Sequence, residues 1–182
     1  KIEIFSDKIK KKELLSFRDE NEQLFAIIKN NELSKLLEKN LSKNKFFKKK
    51  ISNLKKLSFI KEYDLVINCD YSHIINKKYF SKKIIKNYDS IAYTTIITHE
   101  KILNTVAVQI FTKKGPLAFL PFSDEETSIV YSMHNSKNSK MENMNDLINQ
   151  YNFHYKIKTI AKIETVELKS FNLRSYFHNN IL

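Results

Sequence analysis

The chain has 182 residues, of which 42% are hydrophobic and 29% charged, which is enough apolar material for a folded core and excludes a disordered tail. Its 32 lysines and arginines against 20 acidic residues give a net charge of +12. The single glycine and the single cysteine exclude glycine-rich phosphate loops, a G-x-S-x-G nucleophile elbow, a disulfide framework and cysteine-based zinc sites.

Lysine carries almost all of the basic charge, because arginine occurs only at Arg18 and Arg174. Surfaces that read nucleic acids usually include arginine, whose planar group makes two-point contacts with phosphate and guanine. We therefore interpret the lysine clusters at residues 8–12 and 48–50 as solvated faces, and we expect no nucleic-acid partner. No apolar run approaches the roughly 20 residues of a membrane-spanning helix.

The first part of the sequence predicts short, separate elements. Residues 2–5 and Glu13–Phe17 have the pattern of two strands joined by a lysine-rich turn. Asn30–Leu41 is predicted as a helix, because four leucines recur at helical spacing and an asparagine can cap its start. Residues 46–51 and 56–60 are predicted as weak strands around a turn.

Residues 63–70 contain the continuous apolar run Leu65, Val66 and Ile67, which is typical of a strand buried on both faces. This predicted strand ends at Asp70, and the ligands of open α/β sheets bind at the carboxyl ends of strands. Asp70 therefore either caps the segment that follows or accepts hydrogen bonds from a ribose or a cofactor edge.

The region from residue 90 to residue 131 is predicted to be all strand. Its β-branched and alternating segments indicate an antiparallel meander of four strands, at residues 91–98, 105–111, 117–122 and 128–131. A helix at Met144–Tyr151 and one or two strands within residues 157–168 follow. The predicted fold class is therefore α+β.

The residue types that carry common chemistry are sparse in this sequence. None of the five histidines forms a metalloprotease motif, so we expect no metal site. Cys69 has no histidine close to it in sequence and is expected to pack as a small buried residue. The residues alone therefore assign no catalytic group.

The only glycine and both prolines lie within seven residues, in the segment F-T-K-K-G-P-L-A-F-L-P that starts at Phe111. With the following S-D-E-E-T-S-I-V-Y-S, it resembles the F-T-x-x-G-P-L-A-x-L-P…S-x-V-W signature of ubiquinone-biosynthesis hydroxylases. These are flavin-dependent aromatic monooxygenases with the p-hydroxybenzoate-hydroxylase fold. Weaker matches occur in the family's order: I-I-K-N-N-E-L-S-K-L-L from Ile27, L-V-I-N-C-D-Y-S-H-I-I-N-K from Leu65, Y-D-S-I-A from Tyr88 and N-T-V-A-V-Q-I-F from Asn104.

The resemblance implies a central fragment of that fold, with α/β elements from a flavin domain and a mostly antiparallel sheet from a substrate domain. Residues 1–26 and 88–172 would belong to the substrate-domain sheet. Residues 27–87 and 173–182 would belong to the FAD-binding domain. The sequence begins and ends within apolar patterns, and we interpret it as an internal part of a longer protein.

The resemblance also implies an enzyme that uses FAD and NAD(P)H to hydroxylate a prenylated phenol in ubiquinone biosynthesis, the fragment alone being inactive. By motif match, Asn30 and Asp70 are the candidates for binding the cofactor. Leu117, Phe119 and Pro121 share one strand parity and are the candidates for the substrate side, the opposite parity then facing the domain core. The implied location is the cytoplasm, with association at the inner membrane face or with a ubiquinone-biosynthesis complex.

One departure from the family pattern concerns the cofactor side, where the family's Asp-Gly pair is Asp70-Tyr71 in this sequence. Glycine allows a close approach of backbone to a flavin or a nicotinamide, so a tyrosine side chain there has to point away. Two other functions stay open. One is a diverged, non-catalytic flavoprotein that acts as an interaction module, and the other is a basic nucleic-acid-binding α+β domain.

Overall fold

The computed structural model describes residues 1–7, 13–19, 21–50, 57–134, 143–152 and 154–182. Eight strands occur in this part of the chain: β1 (Ile2–Ser6), β2 (Glu13–Phe17), β3 (Lys83–His99), β4 (Ala107–Phe111), β5 (Pro116–Pro121), β6 (Glu126–His134), β7 (Ile157–Ile160) and β8 (Glu164–Leu173). Its helices are α1 (Asn30–Leu41), α2 (Ile74–Tyr79), α3 (Met144–Tyr151) and a 3₁₀ helix (Leu57–Glu62). The predicted α+β class is confirmed.

The chain divides into two compact units. Unit 1 comprises Lys1–Lys35 and Tyr88–Leu168, and unit 2 comprises Leu36–Asn87 and Lys169–Leu182. The assignment of residues 1–26 and 88–172 to a substrate domain, and of residues 27–87 and 173–182 to a flavin domain, stays a prediction.

The strands form a sheet in the order β2-β1-β4-β5-β6-β3-β7, and β8 also pairs with β3. β1 is parallel to β4, whereas β4–β5, β5–β6 and β6–β3 are antiparallel. The four predicted strands are therefore neighbours and antiparallel. They are not a simple meander, because β3 pairs with β6, the last of the four, and not with β4.

One face of the sheet in unit 1 carries the main core. Along β5 the side chains alternate, and Leu117 and Phe119 are 0% and 1% exposed. They pack in one cluster with the apolar residues of α3, namely Met144, Leu147 and Ile148. The hydrophobic effect therefore fixes the register of β5, since a slip of one residue would move both side chains out of this core.

Gly115 precedes β5 at a point of close backbone approach. A Cβ atom at this position would lie 1.9 Å from the carbonyl oxygen of Ser132 on β6, and the φ angle of Gly115 is +154°. Only a residue without a side chain fits against that carbonyl. The one glycine of the sequence is therefore required by the packing of the β4–β5 connection on β6.

Unit 2 has a much smaller core, formed by Ile60, Ile75, Phe80 and Ile181. Residues 63–70 do not form the buried strand that was predicted. Val66 makes a single parallel bridge to Ile181, while Leu65 and Ile67 are 58% and 63% exposed. The prediction is wrong because a strand buried on both faces needs packed layers on both sides, and the described residues provide only this one bridge.

Two further expectations are corrected in unit 2. Residues 46–50 form no strand, and residues 57–60 belong to the 3₁₀ helix; the predicted positions 51–56 lie outside the described residues. Cys69 is exposed rather than buried, because the strand that was expected to bury it is absent. In the described part of the chain, no helix is both long and apolar enough to cross a bilayer.

Candidate functional site

A cleft of about 370 Å³ opens in unit 1 at the carboxyl end of β5, and we call it the β5 cleft. One wall consists of Pro121 and Phe122, where β5 ends. The loop before β4 adds Asn104 and Thr105, and the opposite wall is the segment Glu22–Ile27. The lining is therefore mixed, with aromatic and proline rings beside amide groups.

Asn104 fixes the turn between β5 and β6 from inside the protein. Its side-chain nitrogen donates to the carbonyl oxygen of Ser123 at 2.7 Å, to that of Glu126 at 3.2 Å and to the hydroxyl of Thr127 at 2.9 Å. Its side-chain oxygen accepts from the Tyr155 hydroxyl at 3.2 Å. A buried amide with both ends satisfied holds the loop and the turn together, and so fixes two walls of the β5 cleft.

His99 extends this buried network and is 0% exposed. Its Nδ1 lies 2.8 Å from the carbonyl oxygen of Glu100, which can only accept, so Nδ1 carries a hydrogen. In a neutral ring, Nε2 then accepts from the Thr127 hydroxyl, 2.9 Å away. The hydrogen bonds therefore run in one direction, from Tyr155 through Asn104 and Thr127 to His99.

Tyr155 is packed among other rings next to the network. Its ring lies 4.7 Å from His99 and 5.9 Å from Phe119, measured between ring centroids. Burial raises the pKa of the Tyr155 hydroxyl. The phenol is therefore kept as a neutral donor to Asn104.

Lys29 ties the segment beside the β5 cleft to the start of β6. Its ammonium lies 2.5 Å from a carboxylate oxygen of Glu126 and 5.5 Å from the centre of the Phe122 ring. The hydrogen bond with Glu126 raises the pKa of Lys29. About one third of each side chain of the ion pair is exposed, so solvent weakens the attraction.

Of the predicted substrate residues, only Pro121 lines the β5 cleft. Leu117 and Phe119 lie in the core beneath α3. The opposite parity, with Ala118 and Leu120, was expected to face the domain core. This expectation is wrong, because Ala118 and Leu120 are only half-buried, whereas Leu117 and Phe119 are the residues in the core. The sequence pattern fixes which residues share a face but not which face α3 covers. A role of Leu117, Phe119 and Pro121 in contacting substrate stays a prediction.

The two predicted cofactor residues lie in different units. Asn30 is exposed at the first position of α1, in unit 1. Asp70 is exposed in unit 2, where one carboxylate oxygen accepts from the Ser72 hydroxyl at 2.7 Å and from the Ser72 N–H at 2.8 Å. These two hydrogen bonds lower the pKa of Asp70. Asp70 thus caps the turn before α2, and cofactor binding by either residue stays a prediction.

The turn after Asp70 contains two features that bear on a flavin. Tyr71, at the position of the family's glycine, is 68% exposed, and its ring lies 5.6 Å from that of Phe171. Asn76 donates to the Tyr71 carbonyl at 2.6 Å, while its own buried side-chain oxygen has no partner among the described residues. An orphaned acceptor of this kind fits a ligand that donates a hydrogen bond, such as a sugar hydroxyl.

The described residues fit only part of a flavin nucleotide. Asp70 and Asn76 offer acceptors for hydroxyl groups, but a glycine-rich phosphate cradle is lacking because Gly115, the one glycine, packs against Ser132. Within the same residues there is no group of three or more His, Cys, Asp or Glu side chains that could hold a metal ion.

Sequence reasoning missed Asn104, Tyr155 and Glu126 as parts of the site. Asn104 stands in the quoted N-T-V-A-V-Q-I-F segment, so the motif contained a signal, but its partners are distant in sequence. The Tyr155 hydroxyl comes from 51 residues further along the chain, and Lys29 reaches Glu126 over 97 residues. No local pattern predicts such contacts.

No protein-family model matches the chain, and no curated protein matches it. Among solved structures, it is similar to a flavoprotein/dehydrogenase from Cytophaga hutchinsonii, at 12% identity over 65% of this chain and 32% of that one, with a TM-score of 0.46. It is similar to Xcc4156, a flavin-dependent halogenase from Xanthomonas campestris, at 10% identity over 65% and 24%, with a TM-score of 0.46. It is also similar to the tetracycline destructase Tet(51), at 12% identity over 65% of this chain and 36% of that one, with a TM-score of 0.40. The chain thus spans between 24% and 36% of the length of these structures.

Proposed function

We propose that the chain is the central part of an FAD-dependent aromatic-ring monooxygenase, with unit 1 as its substrate-facing sheet. The observation that carries the proposal is the geometry of the F-T-K-K-G-P-L-A-F-L-P segment. Gly115 packs against the Ser132 carbonyl, and the strand β5 lies between β4 and β6. Pro121, the last residue of the segment, lines the β5 cleft. The most specific motif of the sequence therefore ends at a cleft in unit 1.

The lining of the β5 cleft supports an aromatic substrate. Phe25, Pro121 and Phe122 offer flat apolar surfaces, and Asn104 is held rigidly beside them. Such a combination binds a planar ring by burial against flat apolar surfaces whose positions are fixed. A prenylated phenol of ubiquinone biosynthesis is the specific substrate that we propose.

In this proposal a bound FAD supplies the oxygen chemistry, with electrons from NAD(P)H. The chain's own residues bind and orient the ring and exclude water from it. The Asn104 network keeps the walls of the β5 cleft in place, so that the ring is held in one position. Asp70 and Asn76 would hold hydroxyl groups of the cofactor. Association with the inner membrane face or with a ubiquinone-biosynthesis complex belongs to the same proposal.

The test is the flavin content of the full-length protein that contains this chain. We expect a yellow protein that releases FAD on denaturation and oxidises NAD(P)H faster when a prenylated phenol is added. A protein that is purified without flavin and does not bind added FAD would overturn the proposal. Consumption of NAD(P)H without a hydroxylated product would leave the flavin assignment intact and reject the substrate.

A second candidate is a non-catalytic interaction module, and the exposed apolar residues of α1 favour it. Leu36 and Leu37 are 53% and 52% exposed, and Tyr71 occupies the position where the family pattern has glycine. The flavin experiment separates the two candidates, because a flavin-free protein with a stable fold is the outcome that the module requires. Nucleic-acid binding is the weaker alternative; a shift assay at low salt that shows no complex removes it.

A further inference from the structure

The segment at residues 21–29, which we call the strap, forms a wall of the β5 cleft without belonging to the sheet. Phe25, Ile27 and Lys29 are half-buried and alternate with exposed residues, which is the pattern of an extended strand. Among the described residues, however, no backbone N–H from Leu24 to Ile28 donates to a backbone carbonyl. Side chains, and not a hydrogen-bonded ladder, therefore hold the middle of the strap against the protein.

Local hydrogen bonds shape both ends of the strap. At its start, the Asp19 carboxylate accepts from the N–H groups of Asn21 at 2.8 Å and Glu22 at 3.1 Å. At its end, the Lys29 carbonyl accepts from the N–H groups of Glu32 and Leu33, so the strap is continuous with the first turn of α1. Within the part of the chain that the structure describes, the middle of the strap lacks such backbone bonds, and the Phe25 carbonyl accepts only from the Gln23 side chain, at 2.7 Å.

The Lys29–Glu126 ion pair is the main polar link from the strap to β6. It joins a strap residue to the first residue of β6 at 2.5 Å, and the same ammonium lies over the ring of Phe122, which lines the cleft. An ion pair whose side chains are about one third exposed contributes little to stability and is readily broken and re-formed. A link of this strength suits a latch better than a structural tie.

We propose that the strap is a gate of the β5 cleft and that the Lys29–Glu126 pair is its latch. When the pair is broken, the middle of the strap moves away from the sheet, and the cleft widens beside Pro121 and Phe122 so that a planar apolar ligand enters more readily. Local opening of this kind costs little because few backbone hydrogen bonds are lost. The inference goes beyond the proposed function, since it concerns entry to the cleft and requires neither flavin nor turnover.

The test measures how fast a thiol reagent reaches the cleft in the full-length protein. Because Cys69 is the only cysteine of this chain, Cys69→Ser with Pro121→Cys gives a background with one reporter thiol here, any cysteine outside the chain being replaced as well. In this background Lys29→Glu places two carboxylates together. We expect labelling to become roughly fivefold faster, as for the loss of a partly exposed ion pair.

Two variants make the result decisive. The exchange Lys29→Glu with Glu126→Lys restores the opposite charges and should return labelling to the original rate. Lys35→Glu makes the same charge change on α1 outside the strap and should leave the rate unchanged. An unchanged rate in Lys29→Glu, or a rate that the exchange does not restore, overturns the latch. A flavin-free protein that passes this test would reject the proposed function and keep the gate.

Discussion

Two apolar runs, Leu65 to Ile67 in unit 2 and the strand β5 in unit 1, are similar in composition and differ in burial. Leu117 of β5 is 0% exposed, whereas Leu65 is 58% exposed. β5 has a hydrogen-bonded strand on each side and α3 on one face, while Val66 makes only a single bridge. An apolar run is thus buried only as far as neighbouring elements supply partners for its faces and edges.

The largest expected loss of stability in unit 1 follows from adding a Cβ atom at Gly115. Gly115→Ala places a Cβ against the Ser132 carbonyl, and neither backbone can move without disturbing β5 or β6. We expect a loss of about 4 kcal/mol from the free energy of unfolding, the sum of overpacking and of an unfavourable φ angle. Denaturant unfolding measures it. Lys113→Ala in the same turn is the control, and an equal loss in both variants would refute the steric reason.

The same truncation in the two runs tests the comparison directly. Leu117→Ala should cost about 3 kcal/mol, because it leaves a cavity in the core of unit 1. Leu65→Ala should change the free energy of unfolding by about 0.5 kcal/mol or less, because the side chain is exposed. Denaturant unfolding of both variants gives the difference. Similar losses at the two leucines would show that residues 65–67 are covered in the protein.

The buried network of unit 1 should be sensitive to Asn104. Asn104→Ala removes the acceptor of the Tyr155 hydroxyl and the side-chain donor to the Ser123 carbonyl, at a cost of about 2 kcal/mol. Tyr155→Phe removes a single hydrogen bond and should cost about 1 kcal/mol. Thermal unfolding of the two variants and their double mutant gives the coupling energy. Simple additivity would contradict a shared network.

The smallest expected effect lies in unit 2, at Asp70. Its lowered pKa means that the charged form is favoured in the folded state. Its contribution to stability is therefore present above the unfolded pKa of about 3.9 and is lost as the pH falls through the lower folded pKa. An NMR titration of the Asp70 carboxyl should show the low midpoint, and Ser72→Ala should raise it. A midpoint that Ser72→Ala does not move would reject Ser72 as the cause.

Four elements, α1, β2, β5 and the 3₁₀ helix, show how much of the secondary structure the local sequence pattern can predict. The bounds of α1 and β2 match the predicted ones, and β5 starts one residue earlier than predicted. The predicted asparagine cap is wrong, because Asn30 already belongs to the helix and the Lys29 carbonyl accepts the first helical hydrogen bond, from Leu33. These elements have strong local determinants, such as leucines at helical spacing or a turn at the one glycine. Residues 57–60 were predicted as a strand and form a 3₁₀ helix, because a short apolar run has no clear period and its neighbours decide its conformation.

The candidate site was less predictable than the elements around it. Pro121 was named from its motif, and it lines the β5 cleft. The other members come together through contacts between distant parts of the chain, such as Lys29 with Glu126 and Tyr155 with Asn104. A hydrogen bond between residues so far apart leaves no periodic trace in the sequence.

The sequence by itself determined the α+β class, the position of the helix α1 and the place where a glycine is indispensable, because these depend on composition and on neighbouring residues. Only the tertiary structure decided that Leu117 and Phe119 face the core, that Asp70 caps a turn and that the strap lies beside the β5 cleft. The physical reason is that the alternation of a strand defines two faces, while the face that becomes core depends on where a distant helix packs.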